Sequence, residues 1–91
     1  MKTLSRHKTF VKDMRNARLT EGQFTKLFLY VADLLNGKSP PPESKDHSLL
    51  GEWQDFRELH LGGDVLLIYK SDEKTVYLVR LGSHSQLFSG M

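Results

Sequence analysis

Three of the four histidines in this 91-residue chain lie in its second half, each beside polar or charged neighbours: Lys45-Asp46-His47, Arg57-Glu58-Leu59-His60 and Gly82-Ser83-His84. An imidazole with an unperturbed pKa of about 6.5 both takes and gives a proton near neutrality, so such a set points to acid-base chemistry. Along a strand from Trp53 to Leu61, Phe56, Glu58 and His60 share one face, while Trp53, Asp55, Arg57, Leu59 and Leu61 share the other. Glu58 and His60 are thereby neighbours. Asp64 follows the Gly62-Gly63 turn and falls near His60. Arg80 is offered from a later strand, on the face of Val76 and Leu78 and opposite Tyr77 and Val79. His84 follows that strand on a loop end of the kind that carries functional residues. The expectation is a pocket walled by His47, Glu58, His60, Asp64, Arg80 and His84. Ordinary structural roles compete with this reading. Glu58 facing Arg80 is also the pattern of a cross-strand ion pair worth about 0.2–1 kcal/mol. Trp53, Phe56, Tyr69 and Tyr77 read as sheet packing, and His7 as a surface residue of the first helix.

The elements that must position these groups follow from periodicity. Ser5 caps a helix expected over residues 6–18, with Phe10, Met14 and Ala17 on one face and Lys8, Lys12 and Arg15 on the other. Thr20 and Gln23 form a capping-box pattern ahead of the stripe Phe24, Leu27, Phe28, Val31, Leu34, Leu35, and Asn36-Gly37 ends that second helix. The two make an antiparallel hairpin whose apolar faces need a cover. After a loop over residues 37–46, stiffened by three consecutive prolines, strands are expected over Trp53 to Leu61, Asp64 to Ser71 and Lys74 to Leu81. Val65-Leu66-Leu67-Ile68-Tyr69, apolar almost throughout, reads as a strand covered on both faces. Lys2 to Ser5 adds a short edge strand. The fold class is α+β, an N-terminal helical hairpin packed on a small, mainly antiparallel sheet, in a single domain over residues 1–91.

Composition narrows the function classes. The chain contains no cysteine, so neither disulfides nor thiolate metal sites hold it together, which suits a reducing cytoplasm. No apolar run has the length of a signal peptide or a membrane span, and a cytoplasmic protein without membrane contact is expected. The net charge is +2, but residues 1–46 hold nine of the thirteen Lys and Arg against five acids. Such a basic half attracts phosphate backbones or an acidic protein partner, although solvated lysines on helix faces are its simplest reading.

The blocks Pro-Pro-Glu-Ser-Lys-Asp-His-Ser-Leu-Leu-Gly-Glu-Trp, Phe-Arg-Glu-Leu-His-Leu-Gly-Gly-Asp, Leu-Leu-Ile-Tyr-Lys and Leu-Val-Arg-Leu-Gly-Ser-His-Ser-Gln-Leu-Phe, in this order and spacing over roughly residues 40–88, resemble the YafQ branch of the RelE/ParE toxins. Relatives in that branch often carry an aromatic residue where this chain has Val65, and a proline and a lysine where it has Ser48 and Leu50. The resemblance implies a RelE-like fold and a toxin of a type II toxin-antitoxin module. Such a toxin is a metal-independent endoribonuclease that cuts mRNA on the ribosome, without a cofactor. It further implies His84 as general acid, His47 and His60 at the scissile phosphate or as base, Asp64 and Glu58 orienting the imidazoles, and Arg80 as phosphate clamp. Phe88 would stack on an RNA base, and Lys45 and Arg57 would contact RNA. The partners implied are an acidic, DNA-binding antitoxin, mRNA and the ribosome, with operator DNA reached only through the antitoxin complex. Two other classes compete: a zinc site from His47, His60, Asp64 and His84, which lacks the i, i+4 histidine pair, and a non-catalytic member of the fold that acts by binding an antitoxin or another protein.

Overall fold

Thr3–Arg6 (β1) runs parallel to Thr75–Ser83 (β5), with Leu4 opposite Val76 and Arg6 opposite Leu78. This pairing overrides the expected helix start. Ser5 and Arg6 are held extended by the sheet, and the first helix is Lys8–Asn16 (α1), with His7 at its N-cap and no side-chain capping bond. Its other end is also shorter than expected, because Ala17 is extended. Glu21–Leu35 (α2) has the full capping box: Thr20 accepts from the Gln23 amide and the Gln23 side chain accepts from the Thr20 amide. Then follow His47–Ser48 (β2), Arg57–Gly62 (β3), Val65–Ser71 (β4), β5 and His84–Phe88 (α3). The computed structural model describes residues 1–88.

The sheet order is β1-β5-β4-β3-β2, antiparallel except for the β1–β5 pair. Both helices lie on one face, α1 against β5 and α2 against β3 and β5. Phe10, Leu27, Tyr30, Val31 and Leu34 bury there against Leu59, Leu61, Leu67, Tyr69, Val76, Leu78 and Leu81. Burial of this apolar area, at about 25 cal/mol per Å², is the main stabilising term. The stripe read for α2 is therefore rotated. Tyr30 is core, while Phe24 and Phe28 are exposed and pack edge-on against each other with ring centroids 4.7 Å apart. Leu27 to Ala32 are all apolar, and such a run cannot show from period alone which side meets the sheet.

The opposite face carries a smaller cluster of Leu66, Ile68 and Leu87 beside Leu49, Phe56, Val79 and Phe88. As expected, β4 is covered on both sides. Trp53 does not begin β3; it sits in a short 3₁₀ turn, Gly51–Trp53, and the strand starts at Arg57.

A knot on the helix-side face ties the proline-rich loop to the sheet. Lys45 adopts the left-handed conformation (φ 52°) after the 3₁₀ turn Pro42–Ser44. Asp46 then accepts two bonds from the Arg57 guanidinium, at 3.3 and 3.1 Å, and one from the Tyr69 hydroxyl. Burial first, then the bond to Asp46 and its charge, pushes the Tyr69 phenol well above the usual tyrosine range. A phenol that ionises less readily folded than unfolded contributes stability that is complete below its unfolded pKa, about 10, and lost as pH rises beyond it. Unfolding midpoints measured from pH 8 to 12 should therefore fall above pH 10, and Tyr69→Phe should flatten that fall. An equally steep fall in the variant would remove Tyr69 as its source.

Candidate active site

On the sheet face away from the helices, β2 pairs with β3 so that His47 lies opposite Glu58. As adjacent residues at the start of an extended segment, Asp46 and His47 point to opposite faces, Asp46 to its knot and His47 to Glu58. The Glu58 side chain is only 5% exposed. Its Oε2 is 3.0 Å from His47 Nε2 and 3.9 Å from His60 Nε2, and its Oε1 is 3.5 Å from His84 Nε2. That Oε1 is buried without a hydrogen-bond partner among the described residues. The three imidazoles form an arc around it, with ring centroids 6.3 Å apart from His47 to His60 and 6.2 Å from His60 to His84.

His47 has acceptors on both nitrogens, the Lys45 carbonyl 2.6 Å from Nδ1 and Glu58 on Nε2. Both contacts are satisfied when both nitrogens carry protons. His84 is the first residue of α3, directly after β5, and its Nδ1 lies 3.6 Å from Asp64 Oδ1. Asp64 is in place because Gly63, at φ 57°, takes a left-handed turn that a side chain would strain. The Gln23 side chain donates to the Gly62 carbonyl at 2.9 Å, so the capping box of α2 also pins this turn. Phe88 follows one helical turn after His84, ring centroids 5.8 Å apart.

The fold thus brings together His47, His60, His84, Glu58, Asp64 and Phe88. Arg80 reaches the same face, contrary to simple alternation. A bulge in β5 pairs Ile68 with Arg80 but Tyr69 with Leu78, so Val79 is the extra residue and the strand's period shifts. Arg80 does not pair with Glu58. With Ile68 between them in register, the two are separated by two strand spacings, roughly 10 Å. Arg80 instead pairs with Asp13 of α1, Nε to Oδ2 at 2.7 Å, and this bond raises its pKa further. The Leu81 amide also donates to Asp13.

Arg57 points to the helix-side face, committed to Asp46, and the Lys45 side chain is exposed while its carbonyl serves His47. Neither joins the arc. Asp13, absent from the expectations, had a signal: it is an acid three residues past Phe10, on the edge of the apolar stripe of an otherwise basic helix.

The family model for the bacterial toxin YafQ of type II toxin-antitoxin systems matches residues 2–89. The chain belongs to the YafQ toxin family. The mRNA interferase toxin YafQ of Escherichia coli K12 is 35% identical over 80 residues, 87% of each chain. YafQ in the E. coli DinJ–YafQ complex superposes with a TM-score of 0.83 at 31% identity, over 98% of this chain and 100% of that one. A metal-bound toxin from Helicobacter pylori is 40% identical with a TM-score of 0.81, over 97% of this chain and 100% of its own. Among the described residues of the present YafQ-family chain, no group of three or more histidines, aspartates and glutamates is arranged to hold a metal ion. Its imidazoles converge on a carboxylate instead.

Proposed function

We propose that this YafQ-family toxin is an mRNA interferase, an endoribonuclease that cleaves mRNA on the ribosome by general acid-base catalysis. The observation that carries this reading is the arc of three imidazoles around the buried Glu58 carboxylate. His60 Nε2, at 3.9 Å too far from Glu58 for a hydrogen bond, takes the proton of the 2′-OH as that oxygen attacks the adjacent phosphorus. His84 gives a proton to the departing 5′-oxygen, leaving a 2′,3′-cyclic phosphate and a 5′-hydroxyl. His47, held between the Lys45 carbonyl and Glu58, stabilises the charge gathering on the phosphate. Arg80, aimed by Asp13, clamps a phosphate, and Phe88 stacks on a base. Glu58 and Asp64 orient the imidazoles.

An antitoxin partner follows from membership in a type II toxin-antitoxin family and from the DinJ–YafQ assembly of the E. coli relative. An acidic antitoxin fits the basic first half of the chain, and operator DNA would be reached through the antitoxin. Among the described residues no helix is long and apolar enough to cross a membrane, and a toxin acting on ribosome-bound mRNA would work in the cytoplasm.

The test is cleavage of a defined mRNA, with and without ribosomes, in chelating buffer. Cuts that require ribosomes and persist with chelator are expected. Cuts abolished by chelator and restored by one added metal would replace this mechanism, and no cuts in any condition would favour a protein that acts only by binding.

A further inference from the structure

Next to the histidine arc the same sheet face opens into an apolar cleft of about 210 Å³, lined by Leu49, Trp53, Phe56, Ile68, Val79 and Leu87, with Thr9, Arg80 and Phe88 at its walls. Of the groups given roles above only Arg80 and Phe88 border it, and Trp53 and Phe56 have none. Its floor, Ile68, lies in register between Glu58 and Arg80, and Phe88 is shared between the cleft and His84. The cleft is therefore continuous with the place where the scissile phosphate is held. Pockets for drug-sized ligands run from roughly 300 Å³ upward, so this one takes a single flat ring system rather than a whole nucleotide. Trp53, 42% exposed, stands at the cleft with its ring 5.8 Å from that of Phe56. Cations flank it. Arg80 forms one wall, and beyond Phe56 the Lys70 ammonium lies 5.6 Å from the Phe56 centroid and 5.7 Å from that of Tyr77. Aromatic faces interleaved with cations are how proteins hold single-stranded nucleic acid, the rings taking bases and the cations taking phosphates.

We propose that this cleft is a base subsite: the nucleotide beside the cut inserts its base against Trp53 and Phe56, while Arg80 and Lys70 take the phosphates on either side of it. Resting on the ribonuclease reading, this assigns to Trp53, Phe56 and Lys70 a part in choosing where the RNA is cut. Trp53 and Lys70 are binding residues and act before the chemical step.

Single-turnover cleavage of ribosome-bound mRNA tests this, with wild type, Trp53→Ala, Lys70→Ala and His84→Ala. In parallel, mRNAs carry one abasic nucleotide, moved position by position on both sides of the cut. Trp53→Ala should raise the half-saturating toxin concentration roughly 5- to 150-fold, the range that base-aromatic stacking spans, with a near wild-type plateau rate. One abasic position should cost wild type the same factor and cost Trp53→Ala nothing further, a coupling that a merely structural role of Trp53 would not produce. Lys70→Ala should raise the half-saturating concentration and weaken its salt dependence. Abasic and Trp53→Ala effects that multiply independently would overturn the subsite, as would a Trp53→Ala variant that cleaves normally and loses only its affinity for the antitoxin. A His84→Ala variant that cleaves normally would instead sink the ribonuclease mechanism itself, so the two failures are separable.

Discussion

Replacing His84 by alanine should lower the single-turnover rate of mRNA cleavage by roughly 100- to 10,000-fold, the span that a positioned general acid contributes. The side chain is 56% exposed and its contacts are to Glu58 and Asp64 at 3.5 and 3.6 Å. A surface substitution of this kind changes stability by about 0.5 kcal/mol or less, so the variant should unfold at nearly the wild-type temperature. It should also bind the substrate with unchanged half-saturation, because the proton is needed at the leaving oxygen and not for docking. The plateau rate against toxin concentration decides the matter. A plateau within a few-fold of wild type would move the acid to another group on the arc.

Exchange of Glu58 for methionine should separate function from stability. Methionine keeps the length of the side chain and removes the charge on which three imidazoles converge. Those rings would then lose their common reference, and a misplacement of about 1 Å costs roughly 100-fold in rate. Stability should hold or rise by up to about 2 kcal/mol, since the buried Oε1 without a partner is removed. No charge is stranded by the exchange, because His47 and His84 are more than half exposed and water can solvate them. Denaturant unfolding beside single-turnover kinetics reads both effects. A clearly destabilised Glu58→Met would show that the carboxylate mainly fastens β2 to β3 through His47.

The contrast between Glu58 and Arg80 shows what kind of inference survives from sequence to structure. Alternation correctly paired Glu58 with His60 because β3 is regular up to His60, and its irregularity falls between His60 and Gly62, past the functional pair. The same rule put Arg80 on the face of Val76 and Leu78, which the helices cover, and the bulge at Val79 moved it across. A bulge is one residue of extra length absorbed against a partner strand, and no local pattern in Leu78-Val79-Arg80 announces it. The first helix shows a similar limit. Ser5 is a good capping residue, yet pairing of β1 with β5, 72 residues away in sequence, holds it in the sheet.

By itself the sequence determined the elements whose cause is local. The capping box of α2, the glycine turn before Asp64, the doubly covered β4 and the placing of Glu58 beside His60 all follow from neighbours a few residues apart. Tertiary structure alone decided which side of α2 is core, which acid holds Arg80, that His47 joins the sheet as β2, and that Arg57 is turned away from the arc and tied to Asp46. These depend on the register and distance of segments far apart in the chain, where one residue of slip reverses a face and no short-range energy records it.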